Sequence, residues 1–83
     1  MATVTLPEPL AQYVTRTVED ANGPRIYLRN GDRAATLDVL RGKSWFVQLH
    51  DVDGDRHVYR DRRTYRSEAE AVRFLSKWLE VEA

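Results

Sequence analysis

The segment RIYLRNGDRAATLDVLRGKSWFVQLH, residues 25–50, contains the strongest structural signals of this chain. Apolar and polar residues alternate on both sides of Asn30 and Gly31, and a period of two is typical of half-buried β-strands. Asn-Gly is the strongest short signal for a β-hairpin, and a loop of these two residues would set Leu28 opposite Arg33. The stretch therefore predicts antiparallel strands joined by tight turns.

A second turn is predicted at residues 41–43, where Arg, Gly and Lys follow an alternating segment. A three-residue loop there sets Val39 opposite Trp45 and keeps the apolar residues of successive strands on one face of the sheet. That face is predicted to carry Ile26, Leu28, Ala35, Leu37, Val39, Trp45, Val47 and Leu49.

The segment DVDGD, residues 51–55, is interpreted as a third turn. A two-residue loop within it would bring Arg60 and Arg62 to the buried face, and burying unpaired guanidinium groups is costly. A three-residue loop closed by its glycine instead sets Tyr59 opposite Val47. We therefore predict a fourth strand in that register.

The same segment could also hold a cation, because Asp51, Asp53 and Asp55 match the first, third and fifth positions of a calcium loop. The sixth position is Arg56, where that loop needs glycine, and the twelfth is Arg62, where it needs a bidentate glutamate. We therefore predict a turn without a metal ion, and binding of a cation by the three aspartates stays open.

Two further segments have helical signals. Thr5 and Glu8 have the spacing of a capping box ahead of an apolar stripe that stops at residues 22–24, and Ser67 and Glu70 repeat the device before a wide apolar face. Ala2 to Leu6 could form a short extra strand. The predicted core is Leu10, Val14, Val18, Ile26, Leu28, Leu37, Val39, Trp45, Val47, Leu49, Tyr59, Val72, Leu75 and Leu79.

Length and composition restrict the class of protein. The chain has 83 residues, which is one small domain over residues 1–83, and it has no cysteine for a disulfide or a thiolate site. Thirteen Lys and Arg balance thirteen Asp and Glu, which argues against coating of nucleic acid through overall charge. No signal peptide or membrane span is recognised, and we expect a cytoplasmic protein.

An enzyme is not predicted. His50 and His57 flank the third turn and, in the predicted register, point to opposite faces of the sheet. No nucleophile, base and orienting group occur at a spacing that suggests a shared site, and no glycine-rich phosphate loop is present. We therefore predict no catalytic residue, no metal site and no cofactor.

The predicted fold is an α+β domain: a helix, a four-stranded antiparallel meander and a second helix, with both helices on one face of the sheet. The other face would be open to solvent, and arginines with aromatic rings suit nucleic acid through phosphate contacts and base stacking. The alternative is a protein-binding or inhibitory module, a regulator of phage or toxin–antitoxin type, that uses the same face or the sheet edge; a homodimer also stays open. The predicted binding residues are Arg25, Tyr27, Arg29, Phe46, Gln48, His50, Arg56, Arg60 and Arg62.

Residues 45–75 combine a predicted strand, a turn and a predicted helix, with Trp45, Val47 and Leu49 in the strand, the turn Asp53-Gly54, Tyr65 before Ser67, and Glu70, Ala71, Phe74 and Leu75 in the helix. In these features they resemble the arm-type DNA-binding domain of tyrosine integrases, a three-stranded antiparallel sheet followed by a helix. The resemblance implies that the sheet enters a DNA major groove, where Gln48, Arg56 and Arg60 would contact bases or phosphates.

Residues 1–20, MATVTLPEPLAQYVTRTVED, are locally similar to the first strand and helix of ribbon-helix-helix antitoxins. In that family the strand pairs across a dimer to read DNA. The resemblance therefore implies that Thr3 and Thr5 would be the DNA contacts. The second helix of that family has no counterpart here, because residues 22–33 are interpreted as a stop and a hairpin.

Overall fold

The computed structural model describes residues 6–21, 23–41 and 43–80, with Asp20 described by its backbone alone. The domain is α+β, and its strands form one antiparallel sheet in the order β1-β2-β3-β4-β5. The elements are α1 (Glu8–Ala11), β1 (Val14–Asp20), β2 (Gly23–Asn30), β3 (Arg33–Leu40), β4 (Ser44–Asp53), β5 (Arg56–Tyr65) and α2 (Glu68–Trp78).

The first helix is much shorter than predicted, and the sheet has five strands where four were predicted. Helix α1 ends at Ala11, and the chain then enters β1, which pairs antiparallel with β2. Val14, Thr15, Thr17 and Val18 are β-branched, which disfavours a helix and favours a pleated strand. The helical stripe predicted here was wrong, because it counted apolar spacing and ignored side-chain branching. The predicted capping residue of this helix and all of the proposed extra strand except Leu6 lie outside the described residues.

The hairpin between β2 and β3 forms as predicted but with a different loop. Asn30 pairs with Arg33, so the loop consists of the two residues between them, and Leu28 pairs with Ala35 rather than with Arg33. A shift by two residues leaves every side chain on its predicted face, because the faces of a strand alternate with a period of two. The apolar face of this hairpin is therefore as predicted.

The two later turns have different outcomes. Val39 pairs with Trp45, which confirms the predicted register between β3 and β4. The turn between β4 and β5 is a two-residue loop of Gly54 and Asp55, not the predicted three-residue loop. Strand β5, which follows this turn, is consequently out of the predicted register.

A β-bulge sets the position of β5. Near the turn Tyr59 pairs with His50, and beyond the irregularity Val47 pairs with Arg63, so Arg60 is the extra residue. Tyr59 was predicted to be buried opposite Val47, and 53% of it is exposed instead. With Arg60 as the extra residue, Arg62 lies opposite Gln48 and Arg60 forms an ion pair with Asp51, so neither arginine enters the core although the loop has two residues.

Both helices lie on the same face of the sheet, because their buried residues belong to one cluster with the sheet. Ser67 is the N-cap of α2, but its side chain makes no capping hydrogen bond. Neither described helix is long and apolar enough to cross a membrane. The cluster comprises Leu6, Leu10, Ile26, Leu28, Ala35, Leu37, Val39, Val47, Leu49, Ala71, Leu75 and Leu79.

The C-terminal end of α2 is attached to the hairpin of β2 and β3 by polar contacts. The Trp78 indole N–H donates to the carbonyl oxygen of Ala34 at 2.9 Å, and the Asn30 amide donates to that of Leu79 at 2.7 Å. Arg33 donates to the Trp78 carbonyl oxygen at 2.9 Å and lies over the Trp78 ring at 4.7 Å. These contacts place α2 against one face of the sheet and leave the opposite face free of helices.

Candidate functional site

The open face is the side of the sheet opposite the two helices. Paired residues of antiparallel strands share a face, so the register gives rows of neighbouring side chains that cross the sheet from β1 to β5. The central row consists of Arg16, Tyr27, Thr36, Gln48 and Arg62. An exposed arginine therefore stands at each end of this row, and no carboxylate among the described side chains forms an ion pair with either one.

The row on one side of the central row combines an ion pair with apolar groups. It consists of Val18, Arg25, Asp38, Phe46 and Thr64. The Arg25 guanidinium donates to the Asp38 carboxylate at 2.5 Å, and this hydrogen bond, followed by one to a neighbouring tyrosine, raises the pKa of Arg25. Asp38 is buried, so its charge is compensated by this arginine.

The row on the other side brings two histidines together. Arg29, Ala34, His50 and Tyr59 follow one another across β2 to β5, and the His50 ring centroid lies 6.2 Å from those of His57 and Tyr59. Burial, and secondarily the neighbouring His57, lower the pKa of His50. The prediction that the histidines point to opposite faces was wrong, because it used the three-residue loop.

A cavity of about 570 Å³ lies in the middle of the open face. Its size falls in the range of about 300–1,000 Å³ that is usual for small-ligand sites. None of the described residues that line it is acidic. They include Arg25, Tyr27 and Arg29 from β2, Ala34 and Thr36 from β3, Gln48 and His50 from β4, and His57 from β5.

Seven of the nine predicted binding residues lie on the open face, and two do not. The guanidinium of Arg60 forms an ion pair with Asp51 at 2.7 Å. Arg56 lies opposite Asp53 in the strand register, on the side of the sheet that the helices occupy. The placement of these two arginines was wrong because the turn and the bulge shift β5. The seven that lie there are Arg25, Tyr27, Arg29, Phe46, Gln48, His50 and Arg62.

Three titratable residues whose described side chains lie on the open face were not predicted from the sequence: Arg16, His57 and Tyr59. Arg16 was assigned to a helix, although the β-branched residues around it were a signal for a strand. The other two depend on the turn after β4, whose loop length no local residue determines. The open face is therefore more basic at its β1 edge and more aromatic at its β5 edge than predicted.

The aspartates of the third turn do not form a recognisable metal centre. Among residues 6–80, as far as they are described, no group of three or more His, Asp or Glu side chains is arranged to hold a metal ion. Asp51 is instead paired with Arg60. The cation hypothesis for this turn gains no geometric support.

The lowered pKa of His50 leads to a prediction about stability and pH. A histidine that is harder to protonate in the folded state than in the unfolded state lowers stability once the unfolded chain takes up that proton. We therefore expect the free energy of unfolding to fall as the pH decreases through about 6.5, the unfolded value. Urea unfolding at a series of pH values should show a smaller decrease for His50→Gln than for the wild type. Equal decreases in the two proteins would contradict the assignment.

Comparison with known proteins identifies no relative. No family model, curated protein or solved structure matches this chain. Neither of the two resemblances noted in the sequence is therefore tested by a relative, and the function has to be inferred from the geometry of the open face.

Proposed function

We propose that the protein is a non-enzymatic domain that binds single-stranded nucleic acid across its open face. The observation that carries the proposal is the central row, which places Arg16 and Arg62 at opposite edges of the sheet with Tyr27 and Gln48 between them. Guanidinium groups contact phosphates, and an aromatic ring provides a surface on which a base can stack. A strand that crosses the sheet along this row would meet both kinds of group.

Aromatic rings occur at three places on this face. Tyr27 and Phe46 are partly exposed, and Tyr59 is 53% exposed on the outer strand β5. Stacking of a base on an aromatic side chain is worth about 1–3 kcal/mol and tolerates any base. These rings therefore support binding of a single strand without a strict sequence preference.

The width of the sheet argues against insertion into duplex DNA. Five strands span four inter-strand steps, or about 19 Å at about 4.8 Å a step. The DNA major groove is about 12 Å wide and accepts a helix or a two-stranded ribbon. The mode implied by the integrase resemblance is thus less favourable for this sheet than contact with an unpaired strand.

The charge of the open face also supports this partner. Its described side chains include the four arginines Arg16, Arg25, Arg29 and Arg62 and the single acid Asp38, which Arg25 holds. The chain as a whole is neutral, with 13 basic and 13 acidic residues. Binding should therefore depend on this one face and weaken strongly with salt.

The test is a fluorescence-anisotropy titration with a labelled single-stranded oligonucleotide at several salt concentrations. We expect Arg16→Glu/Arg62→Glu to weaken binding by about tenfold or more, because it replaces two phosphate contacts by repulsive carboxylates. The slope of log Kd against log salt should become shallower by about 1.4, the value for two phosphates of a single strand.

The matched control is Arg56→Glu/Arg73→Glu, which makes the same change of charge at exposed positions away from the open face. It should retain most of the affinity. If both double variants lost affinity equally, the effect would be one of total charge, and the assignment to the open face would be wrong. Absence of wild-type binding at low salt would overturn the proposal altogether.

The alternative function is a protein-binding or inhibitory module, and the β5 edge is the observation that favours it. Strand β5 is one of the two outer strands of the described sheet, and its surface carries Val58 and Tyr59, which are 43% and 53% exposed. An outer strand has unpaired backbone groups to which a partner's strand can add. This function would be favoured if the wild-type protein bound no nucleic acid but captured a protein partner, and if the Tyr59→Asp variant did not capture that partner.

A further inference from the structure

The two histidines of the open face stand on one wall of the cavity. The ring centroids of His50 and His57 are 6.2 Å apart, and the cavity between them and β2 is also lined by Arg29. Arg29 and His50 belong to the same row, on either side of Ala34. Two strand spacings, or about 10 Å between their backbones, therefore separate the arginine from the histidine.

We propose that His50, His57 and Arg29 form a subsite for one phosphate of the bound strand, and that binding of this phosphate is accompanied by uptake of protons. The inference rests on the proposed function and names how one part of the open face would recognise its ligand. It adds a dependence on pH that the arginines alone would not produce, because arginine stays charged throughout the neutral range.

The surroundings of the two rings suit an anion. No described residue that lines the cavity carries a carboxylate, and Asp38, which lies on the far side of the central row, is held by Arg25. The central strand contributes only small, uncharged side chains to the cavity, which leaves room above them. The charged or titratable groups around the pair are Arg25, Tyr27 and Arg29 from β2 and Tyr59 from β5.

The direction of the pH effect follows from the charges. Without a ligand, burial and the second imidazole disfavour the protonated form of His50. A phosphate within contact distance favours the protonated form, and it adds charge-assisted hydrogen bonds to it. Coupling between ligand and proton is reciprocal. A phosphate whose binding raises the pKa of His50 must therefore bind more tightly as the pH falls.

The test is the anisotropy titration repeated from about pH 8 to about pH 5.5, the range in which histidine changes its charge. The probe is labelled oligo(dT), whose base does not titrate in this range, and the ionic strength is held constant because salt alone changes affinity. We expect the affinity of the wild type to increase about tenfold across this range. The variant His50→Gln/His57→Gln should bind with nearly constant affinity.

A second measurement protects the test against a variant that folds poorly. NMR titration of the wild-type imidazole C–H signals gives the pKa of each histidine directly, and we expect both values to be higher with oligo(dT) bound than without it. Unchanged values, or a pH dependence that persists in the double variant, would overturn the inference. Failure of the proposed function would look different, because the wild type would then bind no oligonucleotide at any pH.

Discussion

Replacing Gly23 by alanine should lower the free energy of unfolding by about 4 kcal/mol. Gly23 has a backbone φ of +134°, which residues with a side chain rarely adopt. An added Cβ would lie 2.0 Å from the carbonyl oxygen of Val39. The obstructing atom belongs to the backbone of β3, so it cannot rotate away as a flexible side chain would. Backbone strain and overpacking should contribute comparable amounts.

The matched control is Gly54→Ala in the turn between β4 and β5. Gly54 also has positive φ, +61°, but an added Cβ would meet nothing within 4 Å. We expect this variant to lose only about 1–2 kcal/mol, the cost of the left-handed conformation alone. Urea unfolding of both variants measures the difference, and equal losses would show that the contact between Gly23 and Val39 is not tight.

Replacing Leu37 by alanine should lower the free energy of unfolding by about 2–5 kcal/mol. Leu37 lies on the central strand β3 and is 0% exposed within the single apolar cluster between sheet and helices. An 83-residue domain is expected to have only about 4–12 kcal/mol of stability in total. The loss would therefore remove a large part of what holds the domain folded.

Leu40→Ala provides the control, because it makes the same chemical change on the same strand. Leu40 is 39% exposed, so its truncation leaves no enclosed cavity and should cost about 1 kcal/mol or less. Thermal or urea unfolding distinguishes the two. A Leu37→Ala protein as stable as Leu40→Ala would mean that Leu37 is not part of a tightly packed core.

The central part of the fold could be predicted from the sequence because its signals are local. Alternating residues on both sides of Asn30 identify β2 and β3, and the apolar spacing after Ser67 identifies α2. Even the wrong loop between β2 and β3 left Leu28 on its predicted face, because the error was an even number of residues. The predicted face of a side chain is therefore unaffected by a register error of an even number of residues.

The open face was only partly predictable, because the placement of β5 depends on a turn and a bulge and not on local alternation. The two residues that link Asp53 to Arg56 and the extra residue Arg60 together determine which side chains of β5 lie on the open face. Neither is encoded in the alternation of β5 itself, where exposed polar residues occur at nearly every position. The prediction that Arg56 and Arg60 lie on the open face was therefore wrong, while Arg62 was placed on it correctly.

Strand β1 shows the competition between two local signals. Residues 14–20 have both a helical apolar spacing and a run of β-branched side chains. Pairing with β2 adds to the second signal and gives the strand. That pairing gives the backbone of β1 its hydrogen bonds and brings Arg16 to the end of the central row.

The α+β class, the antiparallel meander, the buried apolar face and the C-terminal helix were predictable from the amino-acid sequence, because they follow from local alternation and helical spacing. The fold alone shows that residues 14–20 form a fifth strand, that a bulge shifts β5, and that His50 and His57 lie side by side. These features depend on pairing between strands, whose energy is gained only when distant segments meet, so no short stretch of the sequence specifies them.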